Sequence, residues 1–136
     1  MSAKPETSFI ESVHRFLPPG RREPYHMKNN NMYTSGVWDC WYSGLRADLW
    51  IEYKFLAHVP VKEMFIPGLS ELQKDWGEKR LIEGRDMAVI VGCKEGGVIY
   101  ENLEWLVPTS RDEFMSMVWT RKEIAEWIIQ RSSGKT

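Results

Sequence analysis

The sequence predicts an α/β domain with helices layered against a mixed sheet. Three observations carry that expectation. An apolar stripe at helical spacing opens the chain, two branched and aromatic runs flank a short turn, and a capped helix leads into a continuous apolar run. At 136 residues, one domain is expected over 1–136, with a core at about 8–107 and a helical segment at about 110–131.

Between Ser8 and Leu17, apolar residues fall at Phe9, Ile10, Val13, Phe16 and Leu17, which predicts an amphipathic helix that Pro18-Pro19-Gly20 ends. From Arg21 to Ser35 the chain is polar and turn-rich, as in an ordered loop or a poor edge strand. Val37–Tyr42 and Ala47–Leu56 flank Ser43-Gly44-Leu45-Arg46 and predict an antiparallel hairpin. Ser70-Glu71-Leu72-Gln73 has the spacing of a capping box and predicts a helix to about Glu83, burying Leu72, Trp76 and Leu81, with Gly84 near its end.

Met87–Gly92 is apolar throughout and suits a buried strand, which Gly96-Gly97 turns into Val98–Tyr100. Ser110 and Thr120 each precede a glutamate by three residues and predict short helices near the end. The tail Ser132–Thr136 is expected to fray.

Apolar residues are 43% of the chain and charged residues 27%, a balance that argues against extensive disorder. No apolar run is long enough to predict a membrane helix, and the first residues lack the apolar stretch of a secretory signal, so a cytoplasmic protein is expected. Cys40 and Cys93 lack metal-ligand spacing and the three histidines are scattered, which argues against zinc and disulfides. A net charge of −1 does not advertise a nucleic-acid binder. Arg15, Arg21, Arg22 and Lys28 nevertheless form a local basic patch able to contact phosphates, although each also fits a solvated surface.

On the strand from Ala47 to Phe55, alternation places Asp48, Trp50, Glu52 and Lys54 on one face. Pairing about the Leu45–Arg46 junction sets Asp39 opposite Glu52, with Cβ atoms about 5 Å apart, close enough to share a divalent cation. Asp48 lies roughly 13 Å along the strand from Glu52 and is too remote for that. Two carboxylates facing one another repel, so the pairing works against stability unless a cation joins them. Phosphodiester hydrolysis uses such a pair, because Mg²⁺ or Mn²⁺ held there offsets charge on the attacking and leaving oxygens, and a nearby lysine adds to this. A surface salt bridge between Glu52 and Lys54 on an ordinary hairpin is the plainer alternative. Among seven tryptophans, Trp50, Trp76 and Trp127 read as core, while Trp41 stands open as a stacking platform.

These segments resemble the virus-type replication-repair nuclease branch of the PD-(D/E)XK nucleases, from about Ser8 to Glu101. Gly36-Val37-Trp38-Asp39 looks like its Gly-x-Pro-Asp segment, Trp50-Ile51-Glu52-Tyr53-Lys54 its Glu-x-Lys strand, and Leu69-Ser70-Glu71-Leu72-Gln73 its leucine-serine-x-x-glutamine helix start. Trp76, Gly84 and Ala88–Gly92 fit the helix and strand that follow. Trp38 departs from the pattern, standing where proline is usual.

The resemblance implies a restriction-endonuclease-like core whose mixed central sheet carries the hairpin. It implies Asp39, Glu52 and the Tyr53 carbonyl as ligands of Mg²⁺ or Mn²⁺, and Lys54 as the catalytic lysine. Gln73 would support the site and Glu11 would be the acid contributed by the first helix, though both positions also fit capping boxes.

The function implied is endonucleolytic cleavage of branched or structured DNA, such as Holliday junctions or flaps, by a protein similar to phage nucleases and therefore expected in the host cytoplasm. A homodimer is expected for cutting two strands. The alternative is a catalytically silent nuclease-fold module that binds DNA or a host protein.

Overall fold

Pro5 fits a first helical turn, where its fixed φ is already helical and its missing N–H costs no bond. In a computed structural model describing residues 4–19, 24–29 and 36–134, helix α1 accordingly spans Pro5–His14. It begins three residues before the expected start, and the Ser8 N–H donates to the Lys4 carbonyl at 2.9 Å. Ser8 is therefore inside the helix and does not cap it. The expected poor edge strand is present as β1, Tyr25–Lys28.

The hairpin forms from β2, Cys40–Ser43, and β3, Asp48–Phe55. Its pairs run from Ser43 with Asp48 to Cys40 with Ile51, the register expected from the turn. Helix α2, Glu71–Ile82, carries the reciprocal capping box of Ser70 and Gln73. Strand β4, Asp86–Cys93, and β5, Gly96–Glu101, follow, so Lys94 and Glu95 make the turn and both glycines lie in the strand. A 3-10 turn at Glu104–Leu106 precedes α3, Arg111–Ser116, and α4, Arg121–Ser133, each capped by the expected box.

The sheet order is β1-β2-β3-β4-β5. Only the β3–β4 pair is parallel, because α2 lies in the crossover between them. Central β4 is covered on both faces, which explains why it reads as unbroken apolar sequence.

On one face, α1 and α4 bury Phe9, Ile10 and Val13 with Ile124, Ala125 and Ile128 against Leu49, Ile51 and Ile90. On the other, Trp38, Met87, Val89, Val91, Trp105 and Phe114 form a second core. The expected frayed tail is corrected in part: Ser132 is fully buried, and its carbonyl accepts the Arg46 and Ala47 N–H groups at 2.9 Å, tying α4 to the hairpin turn. Among the described residues, no helix is long and apolar enough to cross a membrane.

Inside the first core runs a polar chain. The Tyr42 hydroxyl is 2.7 Å from both His14 Nε2 and the Tyr53 hydroxyl. Burial, then the neighbouring His26 and Lys28, holds the His14 imidazole down to about 4.

Candidate active site

Asp39 immediately precedes β2 and continues its register, so it stands opposite Glu52. Two hydrogen bonds lock this crossing: the Asp39 N–H donates to Glu52 Oε1, and the Tyr53 N–H donates to Asp39 Oδ2, both at 3.1 Å. Tyr53's own carbonyl projects to the same side of β3 as its N–H.

Glu52 is 2% exposed and is the only buried charged side chain among the described residues. Burial, then the Asp39 carboxylate, pushes its carboxyl up to about 8, against the pull of Lys54. Lys54 Nζ lies 3.4 Å from Glu52 Oε2 and is a quarter exposed, so its charge reaches solvent.

Gln73 joins the site to α2. Its Oε1 accepts the Ser70 N–H at 3.0 Å, as a capping box requires, and also faces Lys54 Nζ at 3.3 Å. Its Nε2 donates to Glu52 Oε2 at 3.0 Å. The capping amide thus also bridges Glu52 and Lys54, since one amide has two ends to offer.

Trp38, the departure from the proline pattern, holds that arrangement from behind. It is fully buried, and its indole Nε1 donates to the Gln73 carbonyl at 2.9 Å. The ring lies where a Cβ on Gly77 would stand, 2.2 Å from Cζ2, so only glycine lets α2 approach so closely.

On α1, the expected acid and the acid nearest the carboxylate pair in its electrostatics are different residues. Glu11 is exposed on the helix surface. Glu6, in the first turn, is the acid coupled to the site: burial, then Asp39, holds its carboxyl above the ordinary range against Lys54, Lys28 and Lys4. The helix start at Pro5 brings Glu6 into the first turn, and Pro5-Glu6 is the sequence signal for it, a proline and an acid typical of that position.

The basic patch also divides. Lys28 lies on β1 beside Cys40, and its Nζ donates to Thr7 Oγ1 at 3.3 Å, linking β1 to the start of α1. Arg15 is exposed at the far end of α1. Arg21 and Arg22 lie outside the described residues.

The assembled donors are carboxylate oxygens with a peptide carbonyl beside them, a hard set that fits Mg²⁺ or Mn²⁺ better than softer ions. Among the described residues, no three His, Cys, Asp or Glu side chains converge as a complete metal cage. A cation bound by Asp39 and Glu52 would therefore need further oxygens from Tyr53, water or a substrate phosphate.

The sequence matches no protein-family profile and no curated protein. Among solved structures, it aligns with Hjc, a Holliday junction resolvase from the archaeal hyperthermophile Archaeoglobus fulgidus, at a TM-score of 0.56 over 90% of this chain and 97% of that one. The chain is similar to Hjc in fold. The expected restriction-endonuclease-like architecture, a mixed sheet flanked by helices, is therefore observed. Identity to Hjc is 11%, so the likeness is one of architecture and the chemistry must be argued from the residues.

Proposed function

We propose that the chain is a metal-dependent DNA endonuclease that cleaves branched or structured DNA, such as four-way junctions or flaps. One observation carries this reading: Asp39 and Glu52 are locked together across the hairpin, and a single glutamine ties Glu52 and Lys54 to a capped helix. Such convergence works against ionisation, because it buries one carboxyl beside another. Fold similarity to a Holliday junction resolvase supports the substrate class, and the motif order supports the virus-type replication-repair branch.

Asp39, Glu52 and the Tyr53 carbonyl would hold Mg²⁺ or Mn²⁺, which supplies positive charge to offset the oxygens of phosphodiester hydrolysis. Gln73 fixes the Glu52 carboxylate and shares its other end with Lys54. Lys54, partly open to solvent, donates to a phosphate oxygen as negative charge builds there. Lys28 and Arg15 add phosphate contacts, and a homodimer presents one such site to each of two strands.

The test incubates purified protein with four-way junction, flap, single-stranded and linear duplex DNA in Mg²⁺, Mn²⁺ or EDTA. Metal-dependent cutting, lost in Asp39→Ala and Glu52→Ala, is the expected result. Cutting that survives both substitutions overturns the site, and DNA binding without cutting on any substrate favours a silent binding module.

A further inference from the structure

Tyr25, Trp41 and Trp50 lie on the sheet face that carries Glu52 and Lys54, because strand alternation and the observed register put them there. They continue into α2 as a ladder. Ring centroids are 5.9 Å apart from Tyr25 to Trp41, 6.3 Å from Trp41 to Trp50, and 5.1 Å from Trp50 to Trp76. Arg80 caps the ladder, with its guanidinium 5.5 Å from the Trp76 ring centre. Trp50 and Trp76, expected in the core, do pack against its second cluster but are only half-buried, and the fully buried tryptophans are Trp38 and Trp105.

Together, Trp41, Trp50 and Trp76 line an open cleft of about 340 Å³ whose rim carries Asp48, Glu83, Arg80 and Arg85, with both arginines ion-paired to Glu83. That volume is at the small end of ligand clefts, roughly 300–1,000 Å³. Trp50 is two residues from Glu52 on the same strand face, about 7 Å, or two base-stacking steps.

We infer that this cleft takes one unstacked nucleobase of a DNA strand whose phosphate lies at the Asp39–Glu52 pair, an inference that rests on the nuclease reading above. Three features select that guest. Indole faces stack on any base without requiring a sequence. Arg80 and Arg85 balance Asp48 and Glu83 on the rim, so the cleft lacks the net negative charge that would favour a cationic guest such as a methylated amine. Arg85, exposed at the rim with its Nε 3.5 Å from Glu83, can turn its remaining guanidinium donors to the neighbouring phosphate, while Asp48 offers an acceptor to base amino groups. The consequence is a preference for DNA with an unpaired nucleotide beside the cut, as at a flap or branch point, over continuous duplex.

The experiment places 2-aminopurine, a fluorescent base, at successive unpaired positions of a flap and titrates the full chain in Ca²⁺. One position within two nucleotides of the branch is expected to be quenched on binding. Trp41→Ala should abolish the quenching and weaken flap binding about tenfold, with duplex binding unchanged. Trp41→Phe should restore most of both, and Arg85→Ala should weaken flap binding severalfold without changing the melting temperature.

No quenched position, quenching that persists in Trp41→Ala, or an equal loss on duplex DNA overturns the inference. Cleavage is measured separately in Mg²⁺. Cutting without quenching removes the base cleft and keeps the nuclease, whereas quenching without cutting removes the nuclease and keeps the base cleft.

Discussion

On one face of β2 and β3, His14, Tyr42 and Tyr53 form a buried polar chain held in a neutral state. On the other face, Asp39 and Glu52 form a polar pair in which burial works against the charge. The same two strands therefore carry one cluster that is stable as a neutral chain and one in which two carboxyls share a single lysine and burial disfavours the second charge. Under the nuclease reading, that difference separates a structural network from a site, because a fold gains nothing by opposing two carboxylates.

The comparison breaks most sharply under substitution of the charged pair. Asp39→Ala or Lys54→Ala is expected to lower metal-dependent cleavage by about 10³-fold, the scale of losing one charge-stabilising group, with the folded state retained. Gln73→Ala should cost less, about 10–100-fold, because it positions Glu52 and Lys54 without carrying the charge itself. A circular dichroism melt beside each rate separates lost chemistry from lost folding.

The closed face should answer in the opposite currency. Tyr42→Phe strands both His14 and Tyr53 and is expected to cost about 1–3 kcal/mol in denaturant unfolding, with kcat unchanged.

Acidity provides the finest contrast, since the two clusters titrate in opposite senses. The imidazole of His14 sits near 4, below its ordinary 6.5, so its contribution is present above pH 6.5 and is lost as pH falls through 4. The carboxyl of Glu52 sits near 8, above its ordinary 4.5, so its contribution is present below pH 4.5 and is lost as pH rises through 8. Melts of metal-free protein should therefore peak in mildly acidic buffer. Glu52→Gln should raise the midpoint at pH 8 by a few degrees and leave it unchanged at pH 4.

Much of this arrangement is legible in the sequence, for reasons particular to each element. Capping boxes at Ser70, Ser110 and Thr120 mark helix starts because their bonds are local, and the hairpin register follows from one turn. Signals that depend on packing were misread. Leu72 is 58% exposed although its position suits a buried face, because α2 is held through Trp38 at Gly77. Glu6 is hidden because the apolar stripe starts only at Phe9, one turn after the helix itself, and the aromatic cleft is hidden because a half-covered sheet face has the same alternation as a buried one.

The account turns on whether Asp39 and Glu52 bind a cation, and Mn²⁺ titration calorimetry at pH 7 in two buffers of different ionisation enthalpy asks this directly. Stoichiometric binding with net proton release, from a Glu52 carboxyl that burial keeps partly protonated, is the predicted result, together with loss of binding in Asp39→Ala. Absence of binding, or binding that Asp39→Ala leaves intact, would contradict it.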